Sequence, residues 1–372
     1  MSRRDTHAPD HAVSRRTLLK GAAGAAAGAT ALSASLAQAS TGRAPFFVNL
    51  NQDQGEVVIY NYYVPFIDAV IPLFEEETGI KVNQLGTYAG NDEWWARLNA
   101  GESFDFVIAA FEWLERAMKA DLLTPLDLDL IPNTANLYPA FQDNPDFQKD
   151  GTPYASPFAR VYYCLTYNTD TFSEAPASWE VAWDEQYKGK VTMMDDAFGS
   201  IGTTALLLGQ DPMNPDDLDA IRDKLTTQKD LVLKYWTDYQ NGMEMFMNEE
   251  VVVGQFTAGR TRMGAAEGGP MDWTVPEEGC LTFFDTFAIP STSQNPENGH
   301  AFINFLQKPE IMAMEMETMY YDTVNEAAHA ELDPAIAETF ALPEGANLVL
   351  ARDLAPDVRS QMDELWTEIK LG

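Results

Sequence analysis

The sequence is rich in carboxylates and poor in the side chains that most catalytic and metal sites use. It contains 57 aspartates and glutamates, but four histidines and two cysteines, Cys164 and Cys280. Two thiols without accompanying histidines cannot form a structural zinc site. His300 and His329 both lie among residues with a helical pattern. The supply for a histidine-dependent triad is therefore poor, and we predict no catalytic residue, no metal and no other cofactor.

A carboxylate pair remains as a route to acid–base catalysis, and Asp195 and Asp196 are adjacent. Adjacent residues of a strand point to opposite faces, so these two cannot flank one bond. The sequence also lacks a G-x-S-x-G nucleophile elbow, a phosphate-cradling loop and a dinucleotide fingerprint. We therefore predict a binding protein rather than an exported enzyme.

Two tyrosine pairs, Tyr162–Tyr163 and Tyr320–Tyr321, offer a different chemistry. Phenolate oxygens are hard ligands that suit ferric iron, so iron capture is one alternative function. Iron bound in this way would colour the protein.

The charge balance excludes polyanionic partners. Lysine and arginine together number 24, and the formal net charge is −33 at pH 7. Such a surface repels nucleic acid and anionic lipid and attracts cations over long distances. An acidic surface also keeps a protein soluble, so the charge alone names no ligand.

The first 39 residues have the features of an export signal. Arg15 and Arg16 precede an Ala-rich stretch over 21–36, which ends in Ala37-Gln38-Ala39. Charged residues, a short weakly apolar run and a small-x-small site are typical of a cleavable signal, and the paired arginines indicate the twin-arginine route. The stretch is too short to span a bilayer. We predict a periplasmic protein, and the redox state of Cys164 and Cys280 stays open.

The remaining residues must be positioned by alternating strands and helices. Residues 56–63 and 104–110 have the pattern of buried strands, and 66–77 has that of an amphipathic helix. The same alternation predicts a parallel sheet and βαβ units. It returns after residue 158 with no low-complexity linker, which favours two α/β lobes over separate domains. Further predicted strands lie at 80–82, 161–167, 190–194, 251–256 and 281–289, and further predicted helices at 92–99, 215–225, 300–306 and 309–319, with another helix beginning at 202–208.

Several segments occur in the order of one known family. The most specific is Phe284-Asp285-Thr286-Phe287-Ala288-Ile289-Pro290; the others lie at 60–65, 74–82, 105–108, 187–190, 194–197 and 303–306. Over most of residues 56–330 the sequence resembles the spermidine/putrescine-binding proteins of bacterial polyamine importers.

The resemblance implies the α/β fold of type II periplasmic binding proteins, in which two α/β lobes surround a ligand cleft and are joined by hinge crossovers. Lobe 1 would comprise residues 45–157 and 284–329, and lobe 2 residues 158–283 and 330–372. It also implies a monomer that captures a small solute and delivers it to an ABC permease in the inner membrane. Closure of this kind moves hinge residues rather than lobe interiors.

Matched position by position, the resemblance implies a set of ligand-binding residues. Asp285 and Asp196 fall on aspartates that bind amines in the family. Aromatic residues fall on or near ligand-side positions, namely Tyr62, Tyr63, Phe283 and Tyr321. Such a site is physically reasonable, because a desolvated ammonium needs a carboxylate and aromatic faces can sandwich methylenes.

Several positions depart from the family pattern, among them Gly199, which stands where an amine-binding glutamate is expected. Thr257 replaces a tryptophan in the cleft, Glu112 replaces a tyrosine, and Arg160 stands on the crossover segment where the family has tryptophan. A guanidinium there would repel an ammonium and bind a carboxylate or phosphonate, unless it pairs with Glu112 or another acid. Arg260 and Arg262 raise the same question.

The sequence therefore predicts a receptor for polyamines, putrescine or spermidine, bound between Asp196 and Asp285. The alternative is a receptor for a zwitterion, such as an amino acid, an opine-like compound or an aminophosphonate, whose acid group binds Arg160. We also expect Glu315 on a helix surface, as a reference position away from the ligand.

Overall fold

A computed structural model describes residues 55–88 and 90–371. The predicted export signal over residues 1–39 lies outside the described residues. Within those residues, no helix combines the length and apolar character needed to cross a membrane.

The described chain alternates strands and helices. The strands are β1 Glu56–Asn61, β2 Lys81–Thr87, β3 Phe106–Ala110, β4 Gln148–Lys149, β5 Thr152–Pro153, β6 Ala155–Asn168, β7 Val191–Met194, β8 Val232–Trp236, β9 Val253–Thr257, β10 Met271–Thr274, β11 Cys280–Ala288, β12 Asp322–Thr323 and β13 Leu348–Leu350. The helices are α1 Val64–Thr78, α2 Asn91–Asn99, α3 Phe111–Lys119, α4 Pro139–Gln142, α5 Ala197–Leu207, α6 Leu218–Lys229, α7 Tyr239–Met247, α8 Ala258–Ala266, α9 Pro296–Leu306, α10 Pro309–Met319, α11 Pro334–Glu338 and α12 Pro356–Leu371.

One sheet runs through the molecule in the order β2-β1-β3-β11-β6-β9-β7-β8. Strands β1, β2 and β3 are parallel at one end, and β7, β8 and β9 are parallel at the other. The parallel neighbours follow from the alternation of strands and helices, since each crossover needs a helix.

The two halves of the sheet meet on β6 and β11, which pair antiparallel along most of their length. Residues 285–288 of β11 pair with β3, whereas residues 163–167 of β6 pair with β9. Strand β11 therefore borders the half that contains β3, and β6 borders the half that contains β9. The lobe boundaries at 157/158 and 283/284 fall inside these two strands and stay a prediction.

The first strand and helix show how the sequence forms these elements. Most side chains of β1 are buried, including its last three residues, and Phe66, Ile67, Val70 and Phe74 of α1 are buried as well. Pro65 is tolerated because it lies in the first turn of α1, where the N–H groups have no helical partner. The helix ends at Gly79, whose φ of 74° is left-handed.

Glu315 is not on a helix surface, as we expected, but fully buried. Helix α10 packs against α1, α8 and the short 3-10 turn Glu326–Ala330, so more than one of its faces is covered. Ile311, Met312 and Met316 share this burial. Glu315 cannot serve as an exposed reference position.

Cys164 and Cys280 are buried, and the structure leaves both thiols unpaired. Burial raises the pKa of Cys164 to about 12, and that of Cys280 also lies well above its ordinary value. Such thiols are unreactive at neutral pH because the thiolate is the nucleophile.

Candidate ligand-binding site

A cavity of about 350 Å³ opens where the two halves of the sheet meet. Its walls come largely from residues that follow the carboxyl ends of β1, β3, β8 and β9, together with β6 and β11. In open α/β sheets this is the edge at which ligands bind. The lining residues are Tyr62, Tyr63, Tyr88, Gly90, Asn91, Ala110, Glu112, Val161, Tyr163, Asp238, Tyr239, Gln240, Arg260, Phe283, Asp285, Met319 and Tyr321.

Asp285 is the central carboxylate of this cavity. The hydroxyl of Tyr62 donates to its Oδ1, and the hydroxyl of Tyr63 donates to its Oδ2 at 2.5 Å. Burial raises the pKa of Asp285 to about 6, although the two tyrosine hydrogen bonds oppose the rise. Within the described residues no cation pairs with it, so it can accept a cationic group from a ligand.

Strand alternation aims Asp285 into the cavity. Phe283 and Asp285 are two residues apart on β11, and both line the cavity. Phe284 between them points to the other face, where it packs against Phe111 and Phe141 at ring distances of 6.5 and 5.1 Å.

Tyrosine rings form the walls around the carboxylate. The ring of Tyr62 lies 5.0 Å from those of Tyr63 and Tyr88, and the ring of Tyr63 lies 5.8 Å from that of Tyr321. Burial raises the pKa of all four hydroxyls, so they remain protonated donors. Such faces can pack on methylenes and attract a cation.

Glu112 supplies a second carboxyl to the lining. It lies in the first turn of α3, and its Oε2 is buried without a hydrogen-bond partner among the described residues. The pKa of Glu112 is raised to about 7, chiefly by burial and in smaller part by the charges of Asp285 and Asp196, while the hydrogen bond from its own backbone N–H opposes the rise. Near neutral pH it can therefore be either a donor or a charged acceptor.

Arg260 brings a positive charge into the same cavity. It lies in the first turn of α8, directly after β9, and its guanidinium lies 5.9 Å from the ring centre of Tyr239. Its Nη1 contacts the sulfur of Met263 at 3.3 Å, and its Nε is buried without a partner within the described chain.

Three predicted site residues do not line the cavity. Arg160 lies on the opposite face of β6 from Val161 and Tyr163 and pairs with Asp322 at 2.5 Å. The carboxylate of Asp196 caps the N-terminus of α5 by accepting from the N–H of Gly199 at 2.7 Å. Thr257 is buried beside Tyr163, in register with it across β9 and β6.

The structure thus brings together Tyr62, Tyr63, Glu112, Phe283, Asp285 and Tyr321 from the predicted set. Sequence reasoning did not assign Tyr88, Asp238 or Tyr239 to the site, and it named Tyr163 and Arg260 only in other hypotheses. Their position in the sequence could have identified two of them, because Asp238 and Tyr239 lie just after the end of a strand, where cleft residues of α/β folds occur.

Fold and cavity together define a bilobed ligand-binding receptor of the type II periplasmic class. The sheet halves, the two crossing strands and a polar, aromatic-lined cavity between the halves are its features. Comparison with known proteins then fixes the family.

The chain belongs to the bacterial extracellular solute-binding protein family, whose model matches residues 69–344. It is 28% identical over 356 residues to the spermidine/putrescine-binding periplasmic protein of Escherichia coli, covering 93% of this chain and 97% of that protein. The predicted family resemblance is confirmed.

Solved structures agree on the fold. A putative spermidine/putrescine ABC transporter protein from Listeria monocytogenes is 28% identical with a TM-score of 0.75, covering 85% of this chain and 99% of that one. The substrate-binding protein of a Streptococcus pneumoniae spermidine/putrescine transporter is 24% identical with a TM-score of 0.77, covering 86% and 99%. The predicted fold class is confirmed, as is the prediction of a solute receptor rather than an enzyme. Proteins of this family bind small solutes and work with ABC transporter permeases.

Proposed function

We propose that this receptor captures a small solute through a protonated amino group bound by Asp285. The observation that carries the proposal is the geometry of that carboxylate, which is buried, held on both oxygens by Tyr62 and Tyr63, and exposed to the cavity. A buried carboxylate without a cation is costly, so a ligand ammonium would stabilise it.

Polyamines are the first solutes to test. The relatives named above are spermidine/putrescine-binding proteins, and Glu112 and Asp238 also line the cavity, one oxygen of Asp238 accepting from the N–H of Asn241 at the start of α7. Tyrosine faces on either side suit the methylenes of an aliphatic amine. The cavity volume of about 350 Å³ lies at the small end of the range for ligand pockets.

The zwitterion alternative loses support in the form that depends on Arg160. That guanidinium pairs with Asp322 on the face of β6 away from the cavity, so it is not free to bind a ligand acid. Asp196 likewise caps a helix, although its charge raises the pKa of Glu112.

Calorimetric titration of ligand-stripped protein with putrescine and spermidine tests the proposal. We expect binding by the wild type, and loss of at least about thirtyfold in affinity in Asp285→Asn, because one partner of a buried charged contact is removed. Asp272→Asn is a control, since this carboxylate on β10 accepts from Tyr167 and does not line the cavity. Equal affinities of Asp285→Asn and wild type would remove Asp285 from the site.

We further propose that the chain is a periplasmic monomer exported by the twin-arginine route and that its lobes, as bounded above, close on the solute. The relatives are periplasmic proteins, and Arg15 and Arg16 carry the export hypothesis. Replacing both arginines by lysine should stop export, and unchanged export in that variant would contradict the twin-arginine route.

Closure of the lobes should decrease the radius of gyration of the protein when the ligand is added.

A further inference from the structure

Arg260 is a cavity cation that the protein itself does not neutralise. Within the described residues it forms no ion pair with a carboxylate, and its buried Nε has no hydrogen-bond partner. The groups around it are the ring of Tyr239, the sulfur of Met263 and the hydroxyl of Tyr321. A guanidinium partly withdrawn from water and surrounded by neutral groups is costly unless a further group compensates it.

The other arginines near this site are compensated. Arg160 pairs with Asp322. Arg262 lies between the rings of Trp273 and Phe340, at 4.7 and 4.6 Å, and donates to the carbonyls of Thr339 and Tyr320. Every remaining arginine of the described chain pairs with a carboxylate. Arg262 has no carboxylate partner either, but two carbonyls and two rings compensate it. Arg260 is thus distinguished by its place in the cavity and by having neither a carboxylate nor a carbonyl acceptor among the described residues.

Asp285 and Arg260 share the cavity without contacting each other. No ion pair joins them, but two tyrosines connect them. The hydroxyl of Tyr63 donates to Asp285, and the ring of Tyr63 lies 5.8 Å from that of Tyr321. The hydroxyl of Tyr321 in turn interacts with Arg260. Two opposite charges are therefore held apart by tyrosine rings. A ligand that satisfies both must carry an ammonium and an anion separated by an apolar spacer.

We propose that the solute is an ω-amino acid, whose ammonium binds Asp285 and whose carboxylate binds Arg260. The guanidinium is suited to this role because its planar fork binds a carboxylate through two hydrogen bonds. A diamine would place a second ammonium beside Arg260, which is repulsive. This proposal rests on the proposed capture of an amino group by Asp285 and specifies the opposite end of the solute.

The test is a calorimetric panel on ligand-stripped wild-type protein, with probes that differ in one end group or in spacer length. The matched pair is γ-aminobutyrate and putrescine, and the length series is β-alanine, γ-aminobutyrate, δ-aminovalerate and ε-aminocaproate. We expect the best ω-amino acid to bind about tenfold or more tighter than putrescine, because it compensates Arg260 instead of opposing it. Butyrate, which lacks the amine, should bind far more weakly than γ-aminobutyrate.

Arg260→Gln should reverse the preference. It should lose roughly thirtyfold or more in affinity for the ω-amino acid, because it removes one side of a buried charged contact, and should bind putrescine as well as the wild type or better. Arg222→Gln is the matched control on the surface, where Arg222 pairs with Asp219, and should change neither affinity. Arg260→Lys keeps the charge but loses the planar guanidinium, so its affinity for the ω-amino acid should lie between those of the wild type and Arg260→Gln. Thermal unfolding checks that all the variants are folded.

The outcomes separate this inference from the function on which it rests. Tighter binding of putrescine than of every ω-amino acid by the wild type would overturn the inference and leave amine capture intact. Weakening of putrescine and ω-amino acids alike in Arg260→Gln would overturn it too, because Arg260 would then only support the cavity. No binding of any amine by folded wild-type protein would overturn both.

Discussion

Two buried aspartates, Asp285 and Asp322, both accept hydrogen bonds from tyrosine hydroxyls, but their pKa values are shifted in opposite directions. Asp285 accepts from Tyr62 and Tyr63, and Asp322 accepts from Tyr162 at 2.6 Å. Burial raises the pKa of Asp285 to about 6. Burial also acts on Asp322, but His329, Arg160 and Tyr162 outweigh it and hold the pKa of that carboxyl below its usual value.

The two differ in their basic partners. Arg160 lies 2.5 Å from Asp322 and His329 lies 3.4 Å from it, whereas no ion pair joins Arg260 to Asp285, although both line the cavity. Each charge left incomplete in the cavity is a place for a ligand charge. In the proposed binding site the protein leaves the Asp285 carboxylate without a cationic partner among the described residues, whereas in the structural ion pair Arg160 supplies one to Asp322.

The largest expected effect is on stability, where the two asparagine variants should have opposite signs. Asp322→Asn leaves the guanidinium of Arg160, which is 22% exposed, without its partner, and should lower the free energy of unfolding by about 3 kcal/mol. Asp285→Asn should raise it in the ligand-free protein by on the order of 1–3 kcal/mol, because a carboxyl with a raised pKa opposes folding once ionised. Urea unfolding near neutral pH measures both.

The sign follows from linkage. The pKa of Asp285 is about 6 in the folded protein against an ordinary 3.8, so the stability that its protonated form contributes is present below about pH 4 and lost as pH rises through about 6. The gain in Asp285→Asn should therefore shrink in acid. A gain that does not change with pH would show that the carboxylate charge is not its cause.

Ligand binding should depend on pH in the opposite direction. Ammonium capture needs ionised Asp285, so the affinity for an amine should fall by about tenfold per pH unit below about pH 6. Glu112 has a pKa of about 7 and lines the same cavity. Glu112→Gln should therefore remove any change of amine affinity near pH 7, while the fall in affinity below about pH 6 remains. Titrations at constant ionic strength measure this, and an affinity that is flat below about pH 6 would contradict an ionic role for Asp285.

A smaller effect is expected at Glu315, which resembles Asp285 in burial but lacks its tyrosine donors. Both of its carboxylate oxygens are buried without a partner among the described residues. Burial raises the pKa of Glu315 well above its usual value, and Asp285 and Asp322 raise it further. Glu315→Gln should therefore stabilise the protein by about 1 kcal/mol as pH rises, and should leave ligand affinity nearly unchanged. Chemical unfolding as a function of pH checks it, and a loss of stability at every pH would show a native partner for the carboxylate.

The sequence was informative where patterns are unambiguous. The apolar run over residues 281–289 predicted Asp285 on a strand. The pattern over residues 56–63 included Tyr62 and Tyr63 in the first strand, whereas β1 ends before them at Asn61, and the family resemblance gave their place beside the ligand. The sequence could not choose the face of Arg160, because β6 is apolar and buried on both sides and shows no alternation between two faces. Arg260 was named beside Arg160 but could not be assigned to the cavity, since α8 is rich in glycine and alanine and has no clear apolar stripe.

Long-range packing decided the rest. Helix α10 has methionine or isoleucine on several sides of Glu315, so its solvent face could not be predicted from helical spacing. The same holds for the match of Asp196, whose capping bond to Gly199 satisfies a helix terminus that sequence similarity cannot distinguish from a ligand site.

Gly259→Ala adds a single methyl group and tests whether the position of Tyr321 matters for ligand binding. A Cβ there would come within 2.3 Å of the ring of Tyr321, so Gly259→Ala must displace that ring, which lines the cavity together with Asp285 and Arg260. We expect ligand affinity to fall by about tenfold, in line with the sensitivity of positioned contacts to small displacements. Gly264→Ala in the same helix is the control, because its Cβ would meet the flexible side chain of Met271 outside the cavity, and titration should show unchanged affinity. Equal losses in both variants would show that helix α8 as a whole, rather than the position of Tyr321, supports the site.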